Sequence, residues 1–149
     1  MSVYYGANRK QYHLMDKPIT TGGEGSIFSI QSMPGYVAKI YHSVNLALAR
    51  KIGIMVGHPP APDVANQLAW PLEMLHDASG AFRGFIMKEL DTTNELLALY
   101  KYPPREFEGI TLKHKLVIAQ NICAVIAGVH RAGYVFGDFN PMNIGVNLK

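Results

Sequence analysis

Cysteine is almost missing from this sequence: Cys123 is the single one in 149 residues. One thiol supports neither an internal disulfide framework nor a multi-cysteine zinc site, so a reducing compartment is expected. Charge is also sparse. Charged residues are 17% of the chain, and 14 Lys plus Arg against 11 Asp plus Glu leave a formal net charge of +3 without an extended basic run. That balance gives nucleic acid or an anionic membrane little support as partner. The opening Met1 to Lys10 has no apolar core, which argues against a secretory signal. Leu116 to His130 is the longest uncharged apolar stretch, and it falls short of the roughly 20 residues that span a bilayer. No internal repeat, no G-x-x-x-x-G-K-[ST] and no H-E-x-x-H is present. The expectation is a soluble cytoplasmic protein without membrane contact.

Hydrophobic residues are plentiful at 48%, enough to bury a core and to exclude wholesale disorder. The first half reads as short strands punctuated by glycine turns. Tyr12 to Met15, Ser26 to Ile30 and Tyr36 to Tyr41 are strand-like, and Ser32-Met33-Pro34-Gly35 supplies a turn between the last two. Asn45 to Val56 reads as a helix stopped by Gly57 and Pro59-Pro60. Leu68 to Leu75 and Gly84 to Met87 read as two more strands around the turn Asp77-Ala78-Ser79-Gly80. A short helical piece over Glu95 to Tyr100 and a loop at Tyr102 to Arg105 follow.

The clearest element is a helix from Leu112 to Arg131, with Thr111 as N-cap and Gly133 as a left-handed C-terminal cap. Leu116, Ala119, Ile122, Cys123, Ile126 and Val129 line one face, so Cys123 reads as an inert packed thiol and His130 as packed or capping. Ile118 and Val125 lie off that face, and so wide an apolar surface implies burial on more than one side. A strand-like Ile144 to Asn147 closes the chain. Strands with one helix among them, followed by a long helix and a loop, give an α+β class: an antiparallel sheet unit over 1–90 and a helical unit over 91–149.

Two constellations carry chemistry. Gly22-Gly23-Glu24-Gly25 precedes a strand, and Lys39 stands in the next one. A glycine turn lets backbone N–H groups approach phosphate oxygens, and a lysine on the adjacent strand can pair with those phosphates. Alone, three glycines in a hairpin are an ordinary turn and a strand lysine faces water. The second constellation is Gly137-Asp138-Phe139-Asn140-Pro141-Met142-Asn143. An aspartate in a structured loop can accept a hydroxyl proton, and an asparagine oxygen can ligate a divalent metal. Alone, it would be an Asx turn bonded to itself. The two occur in order, with strand pairs and the long helix between.

In these residues, together with Val37-Ala38-Lys39-Ile40-Tyr41, Met55 to Pro60, Ala69-Trp70-Pro71-Leu72 and Ala132 to Asp138, the sequence resembles the eukaryotic-like protein kinase fold. The likeness runs from the N-terminal lobe into the catalytic loop, over roughly 15–149. Within that fold it looks like a bacterial group of kinase-like proteins that often carry a helix-hairpin-helix DNA-binding segment, which these residues lack. The resemblance implies ATP and Mg2+ as cofactors and a protein substrate or docking partner. It places Gly22, Gly23 and Gly25 in the phosphate-covering loop, Ile27 over the adenine and Lys39 on the α/β-phosphates. Met87 falls at the gatekeeper position, and Lys88, Glu89 and Leu90 form the hinge that reads the adenine edge. Asp138 matches the catalytic-loop aspartate and Asn143 the metal-binding asparagine.

Departures from that pattern are equally plain. Thr20 replaces the first loop glycine, and Phe136-Gly137 replaces the usual His-Arg pair. Between Ile40 and Leu72 the one carboxylate is Asp63, so the helix glutamate that normally holds the lysine has no counterpart. No Asp-Phe-Gly occurs, so this chain alone is expected to be catalytically inactive. The alternative is a pseudokinase-like nucleotide-binding or scaffold module. An uncovered 112–131 helix would favour a homo-oligomer or a protein partner. The whole reading requires Lys39 and Asp138 to face one cleft.

Overall fold

The computed structural model describes residues 2–91, 94–100 and 109–147. They fall into two compact units, Met1–Leu90 and Asp91–Lys149.

The first unit is a seven-stranded antiparallel sheet with helical segments. Its strands are β1 (Ser2–Tyr5), β2 (Gln11–Leu14), β3 (Thr20–Thr21), β4 (Gly25–Ser29), β5 (Tyr36–Tyr41), β6 (Glu73–His76) and β7 (Phe82–Lys88), ordered β2-β1-β6-β7-β5-β4-β3. A bridge from Leu14 to Ile30 and a bond from Met15 N to Ser29 O tie β2 back to the end of β4, so the sheet curls on itself. Tyr12, Leu14, Ile30, Ala38, Leu75 and Ile86 fill the inside of the curl. The turn expected at 32–35 is present, with left-handed φ at Ser32 (59°) and Gly35 (80°). β4 and β5 match the expected strands within a residue.

Helix α1 (Leu46–Gly57) begins at Asn45, whose side chain accepts from Leu48 N at 2.8 Å, and packs Ile52 against Phe82 and Phe85. A single turn, α2 (Pro62–Ala65), adds a helical segment beyond the one expected.

Two expectations need correction here. The opening hairpin β1–β2 begins earlier than Tyr12, because β1 pairs with β2 and reaches β6 at Tyr5↔His76. Glu73 on β6 accepts from Tyr12 Oη at 2.5 Å and from Ala7 N at 2.6 Å, which pins that hairpin down. The strand expected over Leu68–Leu75 is regular only from Glu73. Trp70 is buried and donates Nε1 to Met55 O at 3.0 Å, which holds the preceding segment against the helix terminus.

The second unit is smaller. A two-stranded ribbon joins β8 (Asn94–Glu95) to β9 (Gly145–Val146), a 3₁₀ turn spans Leu96–Tyr100, and α3 runs Leu112–Arg131 as expected. The loop expected at Tyr102 to Arg105 lies outside the described residues. Thr111 and His114 form a reciprocal capping box, and Gly133 takes φ +85° beyond the helix end.

The packed face of α3 matches the expected one only in part: Ile122 and Val129 are packed or buried as expected, but Ile118 joins them and Leu116 and Cys123 do not. Leu96, Leu99 and Val146 form the small core, and Ile118 and Ile122 pack on it with Ile110 and Ile144. Leu116 is 57% exposed, and Cys123 and His130 are exposed as well. Cys123 is therefore not an inert buried thiol. The helix as a whole is also longer than its uncharged stretch. By length and composition alone it is long and apolar enough to cross a membrane. A core helix of a soluble protein passes the same test.

The β6–β7 turn offers a pH test. Asp77 accepts from Ser79 Oγ at 2.6 Å, Arg83 Nε at 2.8 Å, and the Ser79 and Ala81 amides. The Ser79 hydroxyl first, then Arg83, hold its carboxyl far below the usual carboxylate range. A depressed folded pKa stabilises above the unfolded value, and that contribution is lost as pH falls. Asp77→Asn should therefore melt below wild type at pH 7, with the gap closing progressively below about pH 4; a gap independent of pH would contradict this.

Candidate functional site

Strand register decides what the first unit presents. β4 and β5 pair Ile27↔Lys39 and Ser29↔Val37, while β5 and β7 pair Lys39↔Phe85 and Val37↔Met87. Directly opposed residues share a face, so Ile27, Val37, Lys39, Phe85 and Met87 lie on the same side of the sheet. Ala38 and Ile86, one residue along, point to the buried interior of the curl. Ile27 and Met87 are half-buried, and Met87 packs on the Ile52–Phe85 cluster. At the end of β7, Glu89 donates its backbone N–H to Gly35 O at 2.9 Å; its side chain is exposed and Leu90 is half-buried.

Gly22 to Gly25 form a four-residue turn between β3 and β4, closed by Gly22 N to Gly25 O at 2.9 Å. Its glycines are not equivalent. A Cβ on Gly25 would lie 2.4 Å from Ile40 O, so that residue is glycine because β5 passes too close for anything else. A Cβ on Gly23 would meet nothing within 4 Å, one on Gly22 would come no nearer than 3.9 Å, and neither residue has a left-handed φ. The fold does not require glycine at either position.

Lys39 has a partner that sequence reasoning missed. Its Nζ donates to Glu24 Oε2 at 3.2 Å and lies 4.9 Å from the centroid of the Tyr41 ring. Burial first, and the Glu24 charge second, push the Tyr41 hydroxyl above its usual range. The carboxylate partner of Lys39 thus comes from the glycine turn, and α1 contains no carboxylate. The signal available in sequence was a lone glutamate among three glycines, but only the β4–β5 register shows that it reaches Lys39. His42, just past β5, grips the same turn: its backbone N–H donates to Glu24 O at 2.9 Å, and its Nε2 lies 3.0 Å from Gly22 O.

In the second unit, Asp138 and Asn143 are brought together. Asn143 Nδ2 donates to Asp138 Oδ2 at 2.9 Å and to its carbonyl at 3.2 Å, and Asn140 Nδ2 donates to Asp138 Oδ1 at 2.8 Å. Asn140 Oδ1 accepts from the Met142 and Asn143 amides, an Asx turn that fixes the loop's far side. The near side is fixed by the end of α3, through Tyr134 N to Val129 O at 3.2 Å. Beyond the loop, Leu97 N and Leu96 N donate to Pro141 O and Ile144 O. The carboxylate is exposed and held by side chains of its own loop. Among the described residues, no three His, Cys, Asp or Glu gather as a metal cluster.

The α+β architecture, a curled antiparallel sheet with helices, is consistent with a kinase-like N-terminal lobe. Sequence comparison points the same way, to a kinase-like relationship. The chain is similar to the Escherichia coli strain K12 protein "Protein kinase YegI", 31% identical over 130 residues, which cover 85% of this chain and 20% of that protein. It is 32% identical over 123 residues to "Protein kinase YegI" of E. coli O157:H7, covering 80% of this chain and 19% of that one. The chain thus spans about one fifth of the length of these curated relatives. No family model matches. No solved structure matches.

The glycine analysis yields a stability contrast. Gly25→Ala should cost about 1–3 kcal/mol, because its Cβ meets backbone that cannot move aside cheaply. Gly23→Ala should stay within about 1 kcal/mol of wild type, in either direction. Urea melts of the two variants check this, and equal losses would refute the steric account.

Proposed function

We propose that this chain is the ATP-binding portion of a protein-kinase-like phosphotransferase, with residues 1–90 as its sheet lobe and 91–149 as the start of its helical lobe. The observation that carries the reading is the shared face of Ile27, Val37, Lys39 and Met87 beside a glycine turn. Two glycines of that turn have no structural reason to lack side chains. Open glycines let backbone amides come close to phosphate oxygens, and a lysine on the same face supplies the counter-charge. Ile27 and Met87 give the apolar floor that an adenine ring prefers, and the backbone of 88–90 reads its edge. Asp138 accepts the proton of the acceptor hydroxyl as that oxygen bonds the γ-phosphorus and the bond to ADP breaks.

The donor set in the loop suits magnesium. Asp138 and Asn143 both offer hard oxygens, and Asn143 turns Nδ2 toward Asp138, leaving Oδ1 on the other branch of its amide. Magnesium characteristically takes one or two protein oxygens and completes its shell with phosphates and water. When bound it would neutralise charge on the transferring phosphoryl group. Asn143 is the residue that would hold it, through Oδ1, while Asp138 beside it is kept for the proton.

A second reading, a scaffold module that docks on a protein or on another copy of itself, is favoured by one observation. Leu112, Leu116 and Val117 on α3 are 73%, 57% and 46% exposed. Burial of such surface contributes about 25 cal/mol per Å² to association. Under either reading the residues described carry no feature that requires nucleic acid, and the reducing interior suggested by a single thiol makes the cytoplasm the proposed location.

Thermal melts with ATP and magnesium separate the readings. Wild type should shift upward by several degrees at ATP well above its Kd. Lys39→Ala should abolish the shift while melting normally without ligand. Gly23→Ala should reduce it, and Asn143→Ala should remove only its magnesium-dependent part. No shift in wild type would favour the scaffold reading, under which light scattering at tens of micromolar should report a dimer. A polypeptide of these 149 residues alone should transfer no measurable γ-phosphate, because it contains no Asp-Phe-Gly aspartate.

A further inference from the structure

The cation at the heart of the proposed site is already engaged. Lys39 Nζ sits 3.2 Å from Glu24 Oε2, and among the described residues Glu24 is the carboxylate within ion-pair distance of it. The two partners are held very differently. Lys39 is 25% exposed, its stem in the sheet face and its amine over Tyr41. The Glu24 side chain is 81% exposed at the tip of the turn, so no packing fixes its rotamer. Its backbone, by contrast, is anchored by His42 N to Glu24 O and by the closing bond of the turn. The carboxylate can therefore swing away from Lys39 without the turn unfolding. Helix α1, spelled Leu-Ala-Leu-Ala-Arg-Lys-Ile-Gly-Ile-Met-Val-Gly, has no carboxylate with which to hold the amine instead.

We propose that Glu24 is an internal, displaceable anion on Lys39, occupying the ammonium until the phosphates of a nucleotide take it over. This rests on the nucleotide-site reading above. The device sets a threshold for phosphate-bearing ligands and none for their nucleoside portion. Phosphate outcompetes the carboxylate because it brings more charge and more acceptor oxygens to the same amine. An exposed ion pair is worth little, so its displacement weakens phosphate binding only about two- to five-fold. Swinging free, Glu24 also leaves the turn's open glycine backbone clear.

The test uses the full chain and isothermal titration with ATP and with adenosine. Glu24→Gln keeps the shape and removes the charge, and at so exposed a position it leaves folding intact. It should bind ATP about two- to five-fold tighter than wild type and adenosine with unchanged affinity. Asp63→Asn, which removes another exposed carboxylate, from α2, should leave ATP affinity unchanged. Equal or weaker ATP binding by Glu24→Gln, with wild type binding normally, would overturn the displacement model alone and leave the nucleotide site standing. A gain matched by Asp63→Asn would also overturn it, since the effect would then be general charge. Absence of ATP binding in both wild type and Glu24→Gln would remove the nucleotide site itself, and this inference with it.

Discussion

The close approach of three backbones at Lys39 and Ile40 is the constraint on which the first unit depends. Gly25 on β4 and Gly84 on β7 flank that peptide segment, and a Cβ on either would collide with it, at 2.4 Å from Ile40 O and 1.9 Å from Lys39 O. Because β5 is squeezed from both sides, its register against both neighbours is fixed, and register decides which residues share a face. A slip of one residue would turn Lys39 into the apolar interior with Ala38 and Ile86. The sheet pays heavily in free energy for a buried unpaired ammonium, so the slip is closed off by chemistry as well as by sterics. The arrangement of Ile27, Lys39 and Met87 is thus a consequence of two glycines whose missing side chains make room for β5.

Much of this was legible beforehand, and the gaps have physical causes. β4, β5, α1 and α3 announce themselves through alternation, periodicity and caps that lie within each segment. The β1–β2 hairpin does not, because Ser2–Tyr5 is held by β6 and by Glu73, from a distant part of the chain. Trp70 misled in the same way, being strand-like by type but tied to Met55 by a bond that no local pattern encodes. On α3 the sequence offers two overlapping apolar stripes. The stripe through Ile118 and Ile122 wins because Leu96, Leu99 and Ile144 arrive on that side, which leaves Leu116 and Cys123 exposed. Of the site, the residue types in the glycine turn and at Lys39, Asp138 and Asn143 were readable, since each is tied to its neighbours in sequence. The Glu24–Lys39 pair was not, because it exists only once two strands are aligned.

The character of that pair follows from where it sits. A buried lysine–carboxylate pair costs several kcal/mol to desolvate and, once formed, is costly to break on one side. An exposed one contributes roughly 0–1 kcal/mol and reforms readily. With Glu24 almost fully in water, Lys39 is restrained without being committed. The Tyr41 ring adds a second weak attraction that does not depend on Glu24 and keeps the amine on the same face when the carboxylate leaves. Two weak holds, rather than one strong one, leave Lys39 restrained but exchangeable.

The loop of the second unit shows the opposite strategy. Asp138 is exposed, yet its carboxylate accepts from Asn140 and Asn143, and the backbone around it is fixed by the α3 terminus, an Asx turn and the β8–β9 ribbon. Both of its side-chain donors are amides, which hold a carboxylate's position without supplying a cation to neutralise it. A carboxylate so placed is held in one orientation, which is what accepting a proton or facing a cation demands. The Asn143 amide also fixes the direction of its own oxygen by spending its nitrogen on Asp138. In this loop six residues suffice to position two oxygen donors, whereas in the sheet the position of one amine requires three strands.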